Sequence, residues 1–394
     1  MNTPLKSNAL TGIRVLDFSI MMAGPYCTRL LAELGADVIK IEPLEGDDMR
    51  LREPRREGRS AYFGQLNAGK RSVAMDLKRP EAVALIKQLV QHVDVVVENF
   101  RPGAMERLGL DAGTLLNINP RLIYCSISGY GQTGASADQA AYAMIVHAES
   151  GFDRTVMRYA GDREHPAHAA VFVADMLGAI FAFGAIQAAL IQRTSTNKGQ
   201  TIDVALMDCM LNLLVYELQE AQFPVTSPRP TYGPVRAADG DLIVAPITSR
   251  NFDALCTATE QRKLREDPRF ATMVERNANW DAMMRLVESW TSKRSQKECI
   301  DCLRAAGVPC APYNEPGDAL KNPTLLERGL FSKIEDAAGS FTGINPPWKM
   351  SGIQEVTSNQ VPEIGEHTHI VLKEMLGLST KDFQDLQSAG VLGR

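Results

Sequence analysis

The chain has 394 residues, 45% of them hydrophobic and 23% charged, a balance that suits roughly two or three packed domains and excludes disordered, fibrous and small disulfide-stapled classes. Its formal net charge of −5 has the opposite sign to the footprint of a nucleic-acid binder, so an anionic ligand has to be held by a local group of cations. Seven cysteines, an odd number, and a polar opening stretch with no apolar signal core indicate free thiols in a reducing cytoplasm.

The first half alternates strand and helix. GIRVLDFS at 12–19 reads as a short strand; Pro25 opens a helix in which Leu30, Leu31 and Leu34 share a face before Gly35 stops it; DVIKIE at 37–42 is the next strand. The pattern recurs as the strand SVAMD, a helix from Pro80 with Val83, Ile86, Leu89, Val90 and Val93 at helical spacing, the strand DVVVE, a helix near Pro102 and the strand LIYCSIS. Apolar strands separated by amphipathic helices imply a parallel sheet covered on both faces, hence an α/β fold with a Rossmann-like core. From 226 to 324 the texture changes to Pro-rich turns, a β run DLIVAPI and helical stretches around Phe252, Trp280 and Gln296, which predicts a smaller α+β domain. The large domain is then 1–225 together with 325–394, the tail being too short to fold alone and ending in the amphipathic helix IVLKEML.

From Ala169 to Ile191 only Asp175 and Gln187 interrupt a stretch of 23 otherwise small or apolar residues, marginally enough to span a bilayer. An acid at its start, no aromatic belt and the small residues Gly178, Ala179, Ala182 and Gly184 favour close packing inside a domain and no membrane.

Several motifs lack the context their chemistry needs. GYGQTG at 129–134 follows a strand but opens no helix, so a glycine-permitted loop is favoured over a dinucleotide site. Gly64, Gly69 and Lys70 fit part of a phosphate loop, yet Arg71 replaces the hydroxyl that would hold magnesium; Lys70 and Arg71 are left as cations for an anion. Cys299 and Cys302 have no second pair at zinc spacing and read as core thiols, while His165 with His168, and His367 with His369, lack a completing carboxylate cluster; no metal is assigned.

Asp175 stands out as an isolated carboxylate at the start of a Gly/Ala-rich apolar helix. One reading is a helix N-terminal acid stabilised by free backbone N–H groups and the dipole. The other is a nucleophile in a dry pocket, its reactivity raised by desolvation.

The blocks LTGIRVLDFS through GDDMR at 10–50, NAGKRSVAMDLK at 67–78, DVVVENFRPGAMERLGL at 94–110, SGYGQTG, VADMLGA, KGQTIDVALMDCML at 198–211 and the GEHT tail, in this order and spanning nearly the whole chain, resemble the class III coenzyme A transferases of the CaiB/BaiF family. The resemblance implies an interlocked homodimer, and it places the family's nucleophilic aspartate on Asp175. It further implies a ping-pong reaction through an aspartyl anhydride and an aspartyl-CoA thioester, with the CoA thioester as substrate and no resident cofactor. Family CoA contacts fall on Met22, Ala23, Met75, Lys78, Asn99, Phe100, Arg101, Arg107 and Tyr142, of which the cations suit phosphate and Met75 and Phe100 suit adenine. Arg50, Arg52, Arg55, Arg56 and Arg59 form either a further anion site or a loop self-paired through Glu53 and Glu57.

Departures from the family pattern narrow the reaction. Ile20, Met21 and Met22 stand where the formyl-CoA branch carries histidine and glutamine, and the glycine-rich lid is reduced to TYGPVR at 231–236. Oxalate is therefore disfavoured, and a roomier apolar pocket is expected. Succinyl-CoA is the expected donor, and itaconate, mesaconate, glutarate or 3-sulfinopropionate the expected kind of acceptor, its distal acid held by Arg236. Tyr142-Ala143 replaces the His-Asp pair of the related α-methylacyl-CoA racemases, which disfavours racemisation. A non-catalytic acyl-CoA binding protein is the remaining alternative, against which Asp175 argues.

Overall fold

A computed structural model describes residues 8–160, 165–166, 170–225, 229–352 and 359–393. His168 and the expected domain boundary at 226 lie outside them. The chain divides into two compact units, one of Met1–Gly151, Ala169–Leu213 and Thr324–Arg394, the other of Phe152–His168 and Leu214–Pro323.

The first unit is built on six parallel strands: β1 (Arg14–Asp17), β2 (Asp37–Glu42), β3 (Arg71–Ala74), β4 (Val95–Glu98), β5 (Ile123–Ser128) and β6 (Gln200–Ala205). Their order is β3-β2-β1-β4-β5-β6, the doubly wound arrangement whose ligands sit beyond the carboxyl ends of the strands, where the order reverses between β1 and β4. The expected Rossmann-like α/β core is present. Helix α1 (Ala23–Glu33) follows β1, α2 (Pro80–Val90) joins β3 to β4, and α3 (Ala143–Glu149), α4 (Val173–Thr196) and α5 (Leu206–Leu213) flank the β5–β6 side. Strands β1, β2, β4 and β5 are almost wholly buried, which is why they read as mainly apolar segments, the polar exceptions Asp17, Lys40, Glu42, Glu98, Ser126 and Ser128 being buried as well. Strand β6 lies at the sheet edge and alternates half-buried and exposed residues along Gln200–Asp203; the sequence reading contains no strand there.

Helix α4 is long and apolar enough to cross a membrane by length and composition, yet it packs against α1, α3, α5, β5 and β6. Gly178 permits this approach, since a Cβ there would lie 2.5 Å from a Leu206 methyl. The tail returns to the large unit, with Val371, Leu372 and Phe383 in the same core as Val73 and Met75. It carries two helices, Thr368–Leu376 and Thr380–Ser388, where one is expected, preceded by a hairpin of Phe331–Asp336 and Gly339–Ile344.

The second unit has the strand and helices expected from its sequence, at Asp241–Val244, Ser249–Ala258, Trp280–Thr291 and Gln296–Ala305. Their core includes Phe252, Trp280, Met283, Trp290 and Cys299, with Cys302 packed against it.

A buried ion network supports the chain after β1. Asp17 is fully buried, accepts from Thr28 Oγ1 at 2.7 Å and from Lys70 Nζ at 2.9 Å, and also bonds the Ser19 amide and hydroxyl. Burial raises its pKa, but Lys70, Lys40 and the hydrogen bonds from Ser19 and Thr28 together outweigh burial and hold the carboxyl below its ordinary range. Lys70 also donates to Pro25 O and Asn67 Oδ1, while Arg71 pairs with Asp37 and Glu374. The expectation that Lys70 and Arg71 face a ligand anion is thereby corrected: both are used up by the protein's own carboxylates, because Lys70 is buried and an unpaired charge there would be too costly.

Candidate active site

Beyond the carboxyl ends of β1 to β4 lie two cavities in the large unit. The first, about 460 Å³, is lined by the segment after β2 and by Phe18, Met75, Lys78 and Phe100. Three expected CoA contacts thus meet in one place: Met75 buried in the wall, Phe100 half-buried, Lys78 exposed at the rim. The second cavity, about 700 Å³, contains Asp175 with Met22, Tyr62, Tyr142, Phe172 and Arg52. Met21 lines both.

Asp175 occupies the first turn of α4 and is half-buried. Burial pushes its carboxyl up to about 6, so desolvation outweighs the helix dipole, which would favour the charge. No hydrogen-bond donor among the described residues reaches it. The phenol of Tyr62, which feels the Asp175 charge, donates instead to the Met22 sulfur at 3.0 Å. The carboxylate is therefore ionised at neutral pH, poorly solvated and unblocked, which are the properties of a nucleophile.

Backbone placement of the site is tightly specified. Met21 adopts φ +62°, the left-handed region that side chains seldom enter. It is followed by Met22 as N-cap of α1, so the first amides of that helix, beginning at Ala23, open beside Met21. Asn99 receives the Ile20 amide on Oδ1 and donates Nδ2 to the Ile20 carbonyl, both at 2.8 Å, and Lys40 Nζ holds the Ser19 carbonyl at 2.7 Å. The Asn99 side chain thus anchors the loop that faces the cavities. Gly24 allows the same loop to lie against α1, because a Cβ there would collide with Ser19.

The other expected contacts disperse. Arg101 lines a separate cleft with Glu98 and Asp203, and Arg107, exposed, ends the short helix Ala104–Arg107. Arg236 is exposed in the second unit, where its carbonyl accepts from Thr291 Oγ1 at 2.7 Å.

Sequence reasoning missed His147. Its Nε2 accepts the Ala174 amide at 3.1 Å, satisfying one of the free N–H groups of α4 next to Asp175. A lone histidine on the apolar face of α3, beside buried Ala143 and Val146, was the available signal.

The description CoA-transferase family III belongs to the family model that matches residues 10–368. A succinate–glutarate CoA-transferase of Agrobacterium fabrum is 36% identical over 391 residues, covering 94% of this chain and 97% of its own. An acetyl-CoA:oxalate CoA-transferase of Acetobacter aceti is 34% identical, covering 96% and 99%. The crystal structure of a CaiB/BaiF family protein from Brucella suis superposes with a TM-score of 0.81 at 34% identity, covering 94% of this chain and all of that one.

Proposed function

Since the chain belongs to CoA-transferase family III and is an enzyme that transfers CoA, we propose that it moves CoA from succinyl-CoA to a short dicarboxylic acid, with Asp175 as nucleophile. The observation that carries this reading is the ionised, half-buried Asp175 in a cavity that shares the Met21 wall with the cavity of Met75, Lys78 and Phe100. A thioester whose nucleotide end fills the first cavity can present its carbonyl to the second.

An Asp175 oxygen attacks the thioester carbonyl, the C–S bond breaks, and CoA leaves as thiolate from a mixed anhydride. The thiolate then attacks the aspartyl carbonyl, releasing the donor acid as carboxylate and leaving an aspartyl-CoA thioester. The acceptor carboxylate attacks that thioester, and the same two steps run backwards deliver its acyl-CoA. Each intermediate keeps the activation of the thioester, so no proton transfer or resident cofactor is needed. Exclusion of water by Met21, Met22, Tyr62 and Phe172 protects the anhydride from hydrolysis.

For the acids, the Agrobacterium relative is named for succinate and glutarate and the Acetobacter relative for oxalate. A cavity of about 700 Å³ walled mainly by apolar and phenolic side chains favours the longer pair, because oxalate would leave much of it empty. Incubation with succinyl-CoA followed by hydroxylamine or borohydride is expected to convert Asp175, detected by peptide mass spectrometry, since both acyl intermediates activate its carbonyl. A label that lands elsewhere while Asp175 stays intact would remove the covalent reading.

The working form we propose is an interlocked homodimer. It is supported by the apolar side chains left exposed along α3 and α4, among them Met144, Ile145, Ile180, Phe181 and Ile191. Sedimentation should give twice the chain mass; a monomer at micromolar concentration contradicts this. The seven cysteines, all unpaired, suit a reducing cytoplasm.

A further inference from the structure

Five arginines lie between residues 50 and 59. Four have carboxylate partners: Arg50 grips Glu42 through two bonds of 2.8 and 2.7 Å, Arg55 pairs with Glu53, Arg56 with Asp336 and Arg59 with Glu363. The guanidinium of Arg52 meets neither a carboxylate nor another acceptor among the described residues, yet it lines the Asp175 cavity. Glu53 lines that cavity too, but Arg55 occupies both of its oxygens, one through the side chain and one through the backbone amide.

The base of Arg52 is fixed even though its head is free. Its amide donates to the Met49 carbonyl at 3.2 Å, closing the turn Asp48–Leu51. Asp47 caps that turn and pairs with buried Lys40, and Arg50 lies over the Phe63 ring with its carbon 4.1 Å from the centroid. The turn thus presents one cation without an acid partner to a cavity whose remaining described wall holds the Asp175 carboxylate, Glu53 already engaged by Arg55, and apolar or phenolic groups.

We propose that Arg52 binds the distal carboxylate of the acid whose other carboxylate reacts at Asp175, and so selects dicarboxylates. This rests on the reading of Asp175 as nucleophile. A second carboxylate entering the cavity loses water and needs a charged donor, and the planar guanidinium fork supplies two parallel bonds. Because donor and acceptor acids occupy the cavity in turn, the same arginine holds the succinyl group while it is transferred to Asp175 and the glutarate that then takes CoA from the aspartyl thioester.

With succinyl-CoA as donor, Arg52→Ala should lower the acceptor kcat/KM, which in a ping-pong sequence reports the acceptor half-reaction alone, by roughly 10- to 200-fold for glutarate and hardly at all for pentanoate, while kcat falls for both because the succinyl donor loses the same contact. Arg52→Lys should recover part of the loss, since an ammonium supplies charge without the fork. Equal losses of kcat/KM on both acids, or no loss in Arg52→Ala while Arg236→Ala loses glutarate selectively, would overturn the assignment. Calorimetric binding of glutarate to the Asp175→Asn protein in the presence of CoA, with and without Arg52→Ala, gives a readout independent of chemistry. Wild-type protein that forms no covalent adduct with succinyl-CoA would sink the Asp175 reading, while unchanged glutarate binding in the doubly substituted protein would sink the role of Arg52.

Discussion

Asparagine at position 175 should abolish CoA transfer, lowering turnover by roughly 10⁴-fold or more, while CoA itself still binds nearly as tightly, since Met75, Lys78 and Phe100 line a separate cavity. The amide matches the carboxylate in shape but cannot attack a thioester. Alanine should be equally inactive, and the donor half-reaction, read as CoA release in a single turnover, should vanish with it. In the native enzyme that half-reaction should fall away as the pH drops through about 6, where Asp175 takes up its proton. Stability should move the other way. The carboxyl titrates higher in the folded protein than its ordinary 3.8, so above about 6 the charge penalises the folded state, and below 3.8 it is protonated in both states and the penalty is gone. The Asp175→Asn protein should therefore be the more heat-stable at neutral pH, and the gap should close as the pH falls from 6 to 4. Retained turnover in a freshly prepared, sequence-verified Asn variant would end the covalent mechanism.

Lys70→Met should be among the most destabilising single changes in the large unit, at about 3–5 kcal/mol, a large part of the roughly 5–15 kcal/mol that holds a typical domain folded. Burial brings Lys70 down to about 8, which still leaves it charged at neutral pH opposite Asp17. Removing the cation strands a carboxylate that is fully buried, with Lys40 as its remaining positive neighbour. Adding Asp17→Asn removes the stranded charge, so the double variant should be more stable than Lys70→Met alone, a coupling between contacting groups. The midpoint of urea unfolding measures both. An unchanged midpoint for Lys70→Met would mean that water reaches Asp17. Because Asp17 and Lys40 hold Ser19, the first residue of the loop that carries Met21, activity should suffer before unfolding begins.

The strands that sequence reveals best are those buried on both faces. Val95–Val97 and Ile123–Ile127 have no solvent side, so the first run is wholly apolar and the second is interrupted only by the buried Ser126, whereas β6 mixes Thr201 and Asp203 with Ile202 and Val204 because one edge faces water. Helix α1 begins at Ala23, ahead of the Pro25 expected to open it, because the Tyr26 amide already bonds to the Met22 carbonyl. Asp175 was legible as an isolated carboxylate at the start of an apolar helix, where an N-terminal acid and a nucleophile read alike until the resemblance favoured the second, and the residues gathered around the first cavity also came from resemblance. Arg52 was not distinguishable among its neighbours: what sets it apart is that Arg56 and Arg59 find acids at Asp336 and Glu363, far along the chain, and pairings between distant segments leave no trace in local composition. His147 escaped for a related reason, since the amide it serves belongs to a different helix.

Met21 carries a consequence for how acid preference can change over evolutionary time. One side chain walls both chambers, and its backbone sits in a conformation that few residues tolerate. A replacement there that reshapes the Asp175 chamber also alters the first cavity, proposed above to take the nucleotide end of the thioester, and a bulky or branched residue adds backbone strain. Acid preference is therefore more free to drift at Leu51, Arg52 and Met144, which line the Asp175 chamber and not the first cavity, so that a substitution there leaves the proposed seat of the carrier intact. Members of such a lineage would share a conserved threshold between the two chambers and differ in the opposite wall.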